Sequence, residues 1–521
     1  MDSRKLTAIF LVTLGLLFGV YAMAQILTQG WNALTETFKY VGGALLLGGF
    51  IVPRFGLWVL LISLGYLDLV KRLLVLAGTT TYYDIGVILA FGPILALAIF
   101  AGVVLQDIRK FRLVGTRAKL FVVTCALMLL LGATPMLFAG MGLGGMKQAA
   151  NYGAFVTLLY VIPALFDSQE KLYAMLRRVV WIFIPVALYA FWQTKYGLSW
   201  WEIEYLETGL STEFRILFGQ EFRVFSTLNS SQNLSKVMAM VGALAFMIPW
   251  SKKKPGVFSR LWGISLLIMF NAAAFFSGSR TGLVMGLVAI ACFVIYRYKL
   301  LTLSFYAGSA AFFVLIVIVS DSLLEEQALN RWTGNISESL GLYDEDVGRV
   351  NLATFSVRLQ SFSNLKDPGY WTPFGFKVAG KNIYTSGFKT HDMLGKLLLG
   401  MGYIPLSILI ACFGYAMLRL HQSVWRVRHF VNLKLIGISQ VTCVIVGGFS
   451  AQENIGTFPV NALLYLAGGT VIWATFASRA AERAEKTAAQ PAPAPVRPGI
   501  GRFGPGPSPT PTPTPSPSPT R

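Results

Sequence analysis

Residues 261–296 read LWGISLLIMFNAAAFFSGSRTGLVMGLVAIACFVIY. Two apolar runs, 261–276 and 281–296, flank one polar turn, Ser277-Gly278-Ser279-Arg280. Runs of this kind recur along the whole chain, and a helix needs roughly 20 apolar residues to cross about 30 Å of hydrocarbon. With 521 residues, 55% hydrophobic and 13% charged, the composition is that of a polytopic membrane protein.

Working outward from this pair, the hydropathy predicts about fourteen spans: 6–24, 38–52, 55–70, 85–105, 120–139, 152–166, 179–193, 229–249, 261–276, 281–296, 300–319, 393–418, 435–450 and 458–477. Only Pro53-Arg54 separates the second from the third. The first run, behind Arg4 and Lys5, also resembles a signal peptide with Ala22-Met23-Ala24 as cleavage site; an uncleaved span fits the following topology better. The fold expected is all-α, a bundle of about 12–14 transmembrane helices with a large loop between late spans.

The net charge of +20 is spread over short segments between spans, with no basic domain. Placing the N-terminus inside puts Arg109, Lys110, Arg112, Arg117 and Lys119, then Arg177 and Arg178, Lys252–Lys254 and Arg260, and Arg419, Arg426 and Arg428 on the inner side. The short outer loops are nearly free of such residues. This asymmetry is the positive-inside distribution and calls for no nucleic-acid partner. Cys125, Cys292, Cys412 and Cys443 all fall inside apolar runs, so they read as small core residues, and no metal motif is present.

That orientation sends four polar segments to the outer side: Lys195–Leu228, Ser277–Arg280, the large loop 320–390 and Ala451–Thr457. Within the large loop, 348–365 has loosely helical apolar spacing and predicts a helix along the membrane surface. Arg223, Arg280 and His391 share this side. Arg280 opposes the positive-inside bias, and its neighbours Gly278 and Gly282 leave its head accessible. Guanidinium suits a bidentate phosphate partner. His391 ends the loop where a helix starts, and imidazole can accept a hydroxyl proton near neutral pH; His421 and His429 read as solvated residues of a basic inner loop. Asn229, Asn233 and Lys236 share one face of a span, with Lys236 roughly 10 Å beyond Asn229. A lysine at that depth faces a polar cavity or snorkels to the surface.

These motifs resemble the O-antigen ligase/polymerase membrane proteins of bacterial surface-polysaccharide assembly. The resemblance runs over about 220–420. It rests on Arg223, Ser226-Thr227-Leu228-Asn229 and Asn233, then Ser277-Gly278-Ser279-Arg280-Thr281-Gly282. Arg358 ahead of Pro373-Phe374-Gly375-Phe376 follows, and His391-Asp392 with Leu399-Gly400-Met401-Gly402-Tyr403 completes it. Where the family favours glycine, proline and asparagine, this chain has Ser226, Gln232 and Asp392.

The resemblance implies a metal-independent, cofactor-free, inverting glycosyltransferase of the multi-span, GT-C-like type. It would transfer or polymerise an undecaprenyl-diphosphate-linked glycan onto the hydroxyl of an acceptor glycan, at the periplasmic face of the bacterial inner membrane. His391 would be the general base. Arg223, Arg280, Arg358 and Lys236 would bind diphosphate, and Trp332, Tyr370, Trp371 and Tyr384 would stack on sugars. The alternatives are a ligase acting on lipid A-core and, in another class, a lipid-linked glycan flippase. Residues 1–478 form the transmembrane domain, with its ligase/polymerase-like core at about 179–420. Residues 479–521 are expected as a disordered proline-rich cytoplasmic tail, a candidate ligand for polysaccharide-assembly proteins.

Overall fold

The computed structural model describes residues 34–78, 80–139, 149–208, 210, 217–218, 221–251, 256–297, 366–375, 393–426, 429–450 and 456–489. The expected spans 6–24 and 300–319 and the expected surface helix at 348–365 lie outside these residues.

The chain forms helices α1 (Leu34–Ile51), α2 (Pro53–Leu76), α3 (Tyr82–Arg109) and α4 (Gly115–Ala139). A 3-10 turn at Ala154–Thr157 leads into α5 (Leu158–Leu165), followed by α6 (Gln169–Tyr196) and the short α7 (Trp200–Glu207). A two-residue antiparallel ladder pairs β1 (Leu217–Phe218) with β2 (Glu221–Phe222). Then come α8 (Ser231–Trp250), α9 (Val257–Phe276), α10 (Arg280–Arg297), α11 (Met393–Met401), α12 (Tyr403–Arg426), α13 (Val431–Ser450) and α14 (Val460–Ala489). Among the described residues seven helices are long and apolar enough to cross a membrane: α3, α4, α6, α8, α9, α13 and α14. The protein is a multi-pass helical membrane bundle.

The second and third expected spans are separate helices. Val52 divides them, and Pro53 starts α2, where its fixed φ suits a helix N-terminus and its missing N–H leaves no bond unmade. The hairpin is tight because glycines face each other: a Cβ on Gly49 would lie 3.3 Å from the Gly56 Cα. α3 closes on the same corner through Gly102, whose missing side chain makes room for the Phe50 carbonyl.

α8 is the central helix. Nearly every residue of it is buried, and it packs against α6, α9, α10, α13 and α14. Small residues set these approaches, as is usual where lipid removes the hydrophobic drive between helices. Gly242 meets Phe270 of α9, and Gly286 of α10 meets Ala239. Gln440 of α13 donates to the Met240 carbonyl at 3.0 Å.

Three expected boundaries change, one of them the start of α6, at Gln169 rather than 179. The span predicted at 393–418 is broken: α11 ends at Met401, Gly402 takes φ +82°, and α12 restarts at Tyr403. The freed N–H groups of Tyr403 and Ile404 donate to the carbonyls of Thr372 and Pro373 at 2.9 and 3.3 Å. A hydropathy run cannot show a cap supplied from another segment. At the other end, α14 continues through the expected start of the tail at 479 to Ala489. Arg479, Glu482, Arg483, Glu485 and Lys486 are good helix formers, and Glu485 meets His429 Nε2 at 2.8 Å. His429 is therefore a half-buried, partnered residue, contrary to the solvated reading. Cys292 and Cys443 are buried as expected, but Cys412 is exposed on α12.

Candidate functional site

The segment 223–230 and the N-terminal end of α8 form the polar focus. Ser230 caps α8, its Oγ accepting from the Asn233 N–H at 3.2 Å. Asn233 Nδ2 donates to Asn229 Oδ1 at 2.6 Å and to the Phe458 carbonyl at 3.3 Å. This ties the segment to the turn that starts α14. Two residues further along α8, Ser235 Oγ donates to the Ser279 carbonyl at 2.7 Å.

That last bond brings the Ser277–Arg280 turn to the same end of α8. The turn is pinned within itself: Ser277 Oγ donates to the Ala274 carbonyl at 2.6 Å, and Gly278 takes φ +68°. Arg223 lies alongside, and a Cβ on Gly278 would sit 3.6 Å from its Nε. Glycine thus serves both the left-handed turn and the passage of the arginine. Arg280 is the first residue of α10. Lys236 is 2% exposed, enclosed in the bundle with no access to lipid. The structure therefore brings Arg223, Asn229, Asn233 and the backbone that carries Arg280 to one place.

The remaining expected residues fall in another segment or outside the described residues. Trp371 sits beside the α11–α12 break, half exposed. Tyr370 next to it is fully buried, so it packs in the core and cannot present its ring to a sugar. Gly375 lies against the Gly400 and Leu399 carbonyls, which anchors the 366–375 segment to that break. His391, Arg358, Trp332, Tyr384 and the Arg280 side chain lie outside the described residues.

Beneath the 223–229 segment is a buried charged cluster that sequence reasoning missed. Asp68, Lys71 and Arg72 of α2, Gln193 of α6 and Glu202 of α7 are each 3% exposed or less. Arg72 Nη1 donates to the Ser226 carbonyl at 2.6 Å, and Nη2 donates to the Leu228 carbonyl. Its guanidinium stacks 4.3 Å from the Phe225 ring and lies 3.8 Å from Glu202. Gln193 donates to Glu202 at 2.6 Å while its carbonyl accepts from the Ser226 N–H at 2.7 Å. Thr227 Oγ1 donates to the Gly65 carbonyl at 2.6 Å. Burial pushes the Glu202 carboxyl up; the Ser199 N–H and the Arg72 charge pull it the other way. Lys71 sits 3.5 Å from Asp68 and faces the Tyr205 ring. A signal was present: Lys71-Arg72 ends an expected span on the side that positive-inside topology leaves poor in lysine and arginine.

Two cavities lie away from this focus. One of about 280 Å³ is lined by Arg117, Tyr160, Asp167 and Trp473, where Arg117 and Tyr160 both bond Asp107 at 2.8 Å. A second, about 20 Å³, is apolar and lies between α6, α8, α13 and α14. Among the described residues no three His, Cys, Asp or Glu side chains converge as a metal set. No family model, characterised protein or solved structure matches this chain.

Proposed function

We propose that this protein is a membrane glycosyltransferase that moves an undecaprenyl-diphosphate-linked glycan onto an acceptor hydroxyl at the outer face of a bacterial inner membrane. The observation that carries the reading is the placement of Arg223 against the Ser277–Arg280 turn at the polar end of α8. Two arginine-bearing segments meeting there suit a diphosphate, which two planar guanidinium forks can grip through several oxygens.

In this reading His391 takes the proton of the acceptor hydroxyl, whose oxygen attacks the anomeric carbon from the face opposite the diphosphate. The sugar–phosphate bond breaks and its electron pair leaves with the lipid diphosphate. One displacement inverts the anomeric centre. Arg223 and Arg280 stabilise the departing charge, and one well-aimed donor of this kind is worth about 2.7–4 kcal/mol. The route calls on no metal ion or organic cofactor. Polymerisation of repeat units is the favoured outcome, because Asp392 stands where the resembled proteins have asparagine; Lys236, being enclosed, adds its charge to the polar end of α8 from within the bundle.

The test supplies purified protein with lipid-linked repeat units alone, and a lengthening ladder is expected. Product only after lipid A-core is added, as a single transfer, makes it a ligase. Movement of intact lipid-linked glycan across vesicles without transfer makes it a transporter and overturns the enzyme reading. Arg280→Lys should lose most activity at normal expression, since one ammonium cannot reproduce the fork. His391→Ala should lower the rate about 10²–10⁴-fold.

A further inference from the structure

We propose that Arg72 is a positioning residue that, with Gln193, fixes the 224–228 backbone and through it the place of Arg223. The inference rests on the diphosphate reading of Arg223 for its consequence, but its structural half stands separately. A fully buried guanidinium is costly, and it is held here by backbone carbonyls of the very segment that follows Arg223. Both oxygens it reaches belong to residues outside regular structure, where no helix or strand would otherwise hold them. Gln193 completes the grip from the opposite polarity, accepting from the N–H groups of Phe225 and Ser226 at 3.3 and 2.7 Å. Glu202 joins the two, 3.8 Å from Arg72 and 2.6 Å from the Gln193 amide.

The segment is thus held at its carbonyl edge by Arg72 of α2 and at its N–H edge by Gln193 of α6, with Glu202 of α7 bracing those two side chains. Ser226 Oγ donates to the Val186 carbonyl at 2.6 Å, so even its hydroxyl is committed. Arg223 is anchored three residues before Ser226 and meets Gly278 on its far side. None of the clamp residues needs to touch a ligand. Their role is to remove the freedom of the loop, so that binding does not carry the entropy of ordering it.

The experiment uses full-length protein in detergent, with undecaprenyl diphosphate as the probe. Hydrogen exchange of a peptide spanning 223–230 is followed alongside probe binding. Arg72→Lys keeps the charge but cannot reach both carbonyls. It should speed exchange across 224–229 by about tenfold or more, leaving α9 and α13 unchanged. Probe affinity should fall about tenfold. The double variant Arg72→Lys/Arg223→Ala should bind no worse than Arg223→Ala alone, because the first residue acts through the second. A general loss of structure would instead multiply the two losses.

Should Arg72→Lys fail to fold, Gln193→Leu removes the N–H clamp without disturbing the net charge and should give the same pattern, smaller. Unchanged exchange at 224–229 in the folded variant overturns the positioning role. Faster exchange with multiplicative losses overturns the route through Arg223. Wild-type protein that does not bind the probe sinks the diphosphate reading, while the exchange comparison still decides the clamp.

Discussion

Ser226 holds φ at +54° while fully buried, a conformation that side chains with a Cβ adopt at a cost of roughly 1–2 kcal/mol. Its hydroxyl bond to Val186 offsets this, since such a bond contributes about 1 kcal/mol. Ser226→Gly should therefore melt within about 1 kcal/mol of the parent and keep activity, losing a bond and a strain of similar size. Ser226→Val adds β-branching at positive φ in a packed site and should lose both stability and transfer, read by thermal melting in detergent. Gln232, the second residue of α8, stands where an N–H has no intrahelical partner, so proline and glutamine both fit there. Ser226 and Gln232 were legible as letters; what each position tolerates became clear only from φ and helix position.

Between elements, α10 approaches α8 so closely that a methyl on Gly282 would overlap the Ser235 carbonyl and hydroxyl. Gly282→Ala should cost about 1–3 kcal/mol, as overpacking does, and should weaken the Ser235–Ser279 bond that sets the serine-arginine turn. Gly86 on α3 has open space around it, so Gly86→Ala is the control and should be neutral or slightly stabilising. The docking of α7 makes a second prediction. Its Trp200, Glu204 and Glu207 are exposed while Glu202 and Tyr205 are fully buried, so a single carboxylate of the helix points into the protein. Burial raises the Glu202 pKa above its ordinary 4.5, so the folded state holds that proton more tightly than the unfolded chain. Its contribution to stability is complete below 4.5 and declines as pH rises through the raised value. Melting temperature followed upward from pH 4.5 should show this slope, and Glu202→Gln should flatten it.

For the whole molecule, the site proposal requires one common face. Reporter fusions after Arg223 and within 330–389 should report the outer compartment, and fusions after Lys254, Lys299 and Arg479 the cytoplasm. A cytoplasmic signal from 330–389 would remove His391 from the arginines and end the proposal. The fusion after Arg479 interrupts α14, whose helix runs on to Ala489, so a fusion after Ala489 serves as its partner and should agree.

The apolar runs by themselves determined that this chain is a helical multi-pass membrane protein, and they placed α3, α4, α8, α9 and α13 close to their observed bounds, whereas α6 begins at Gln169 rather than 179 and α14 runs to Ala489 rather than 477. That follows because hydrocarbon crossing is a property of one continuous segment and is written in its local composition. The pairing of Arg223 with the Ser277–Arg280 turn was also anticipated, through loops assigned to one side. The break at Gly402 was not, because a glycine and a proline in an apolar run are common, and the carbonyls that cap the break come from Thr372 and Pro373. Nor was the role of Lys71, Arg72, Gln193 and Glu202. Arg72 reaches Ser226, 154 residues away, and a bond of that span depends on which helices pack together. The same letters at the end of an apolar run spell a topological anchor or a buried clamp, and only the packing of α2, α6 and α7 against the 224–228 segment decided for the clamp.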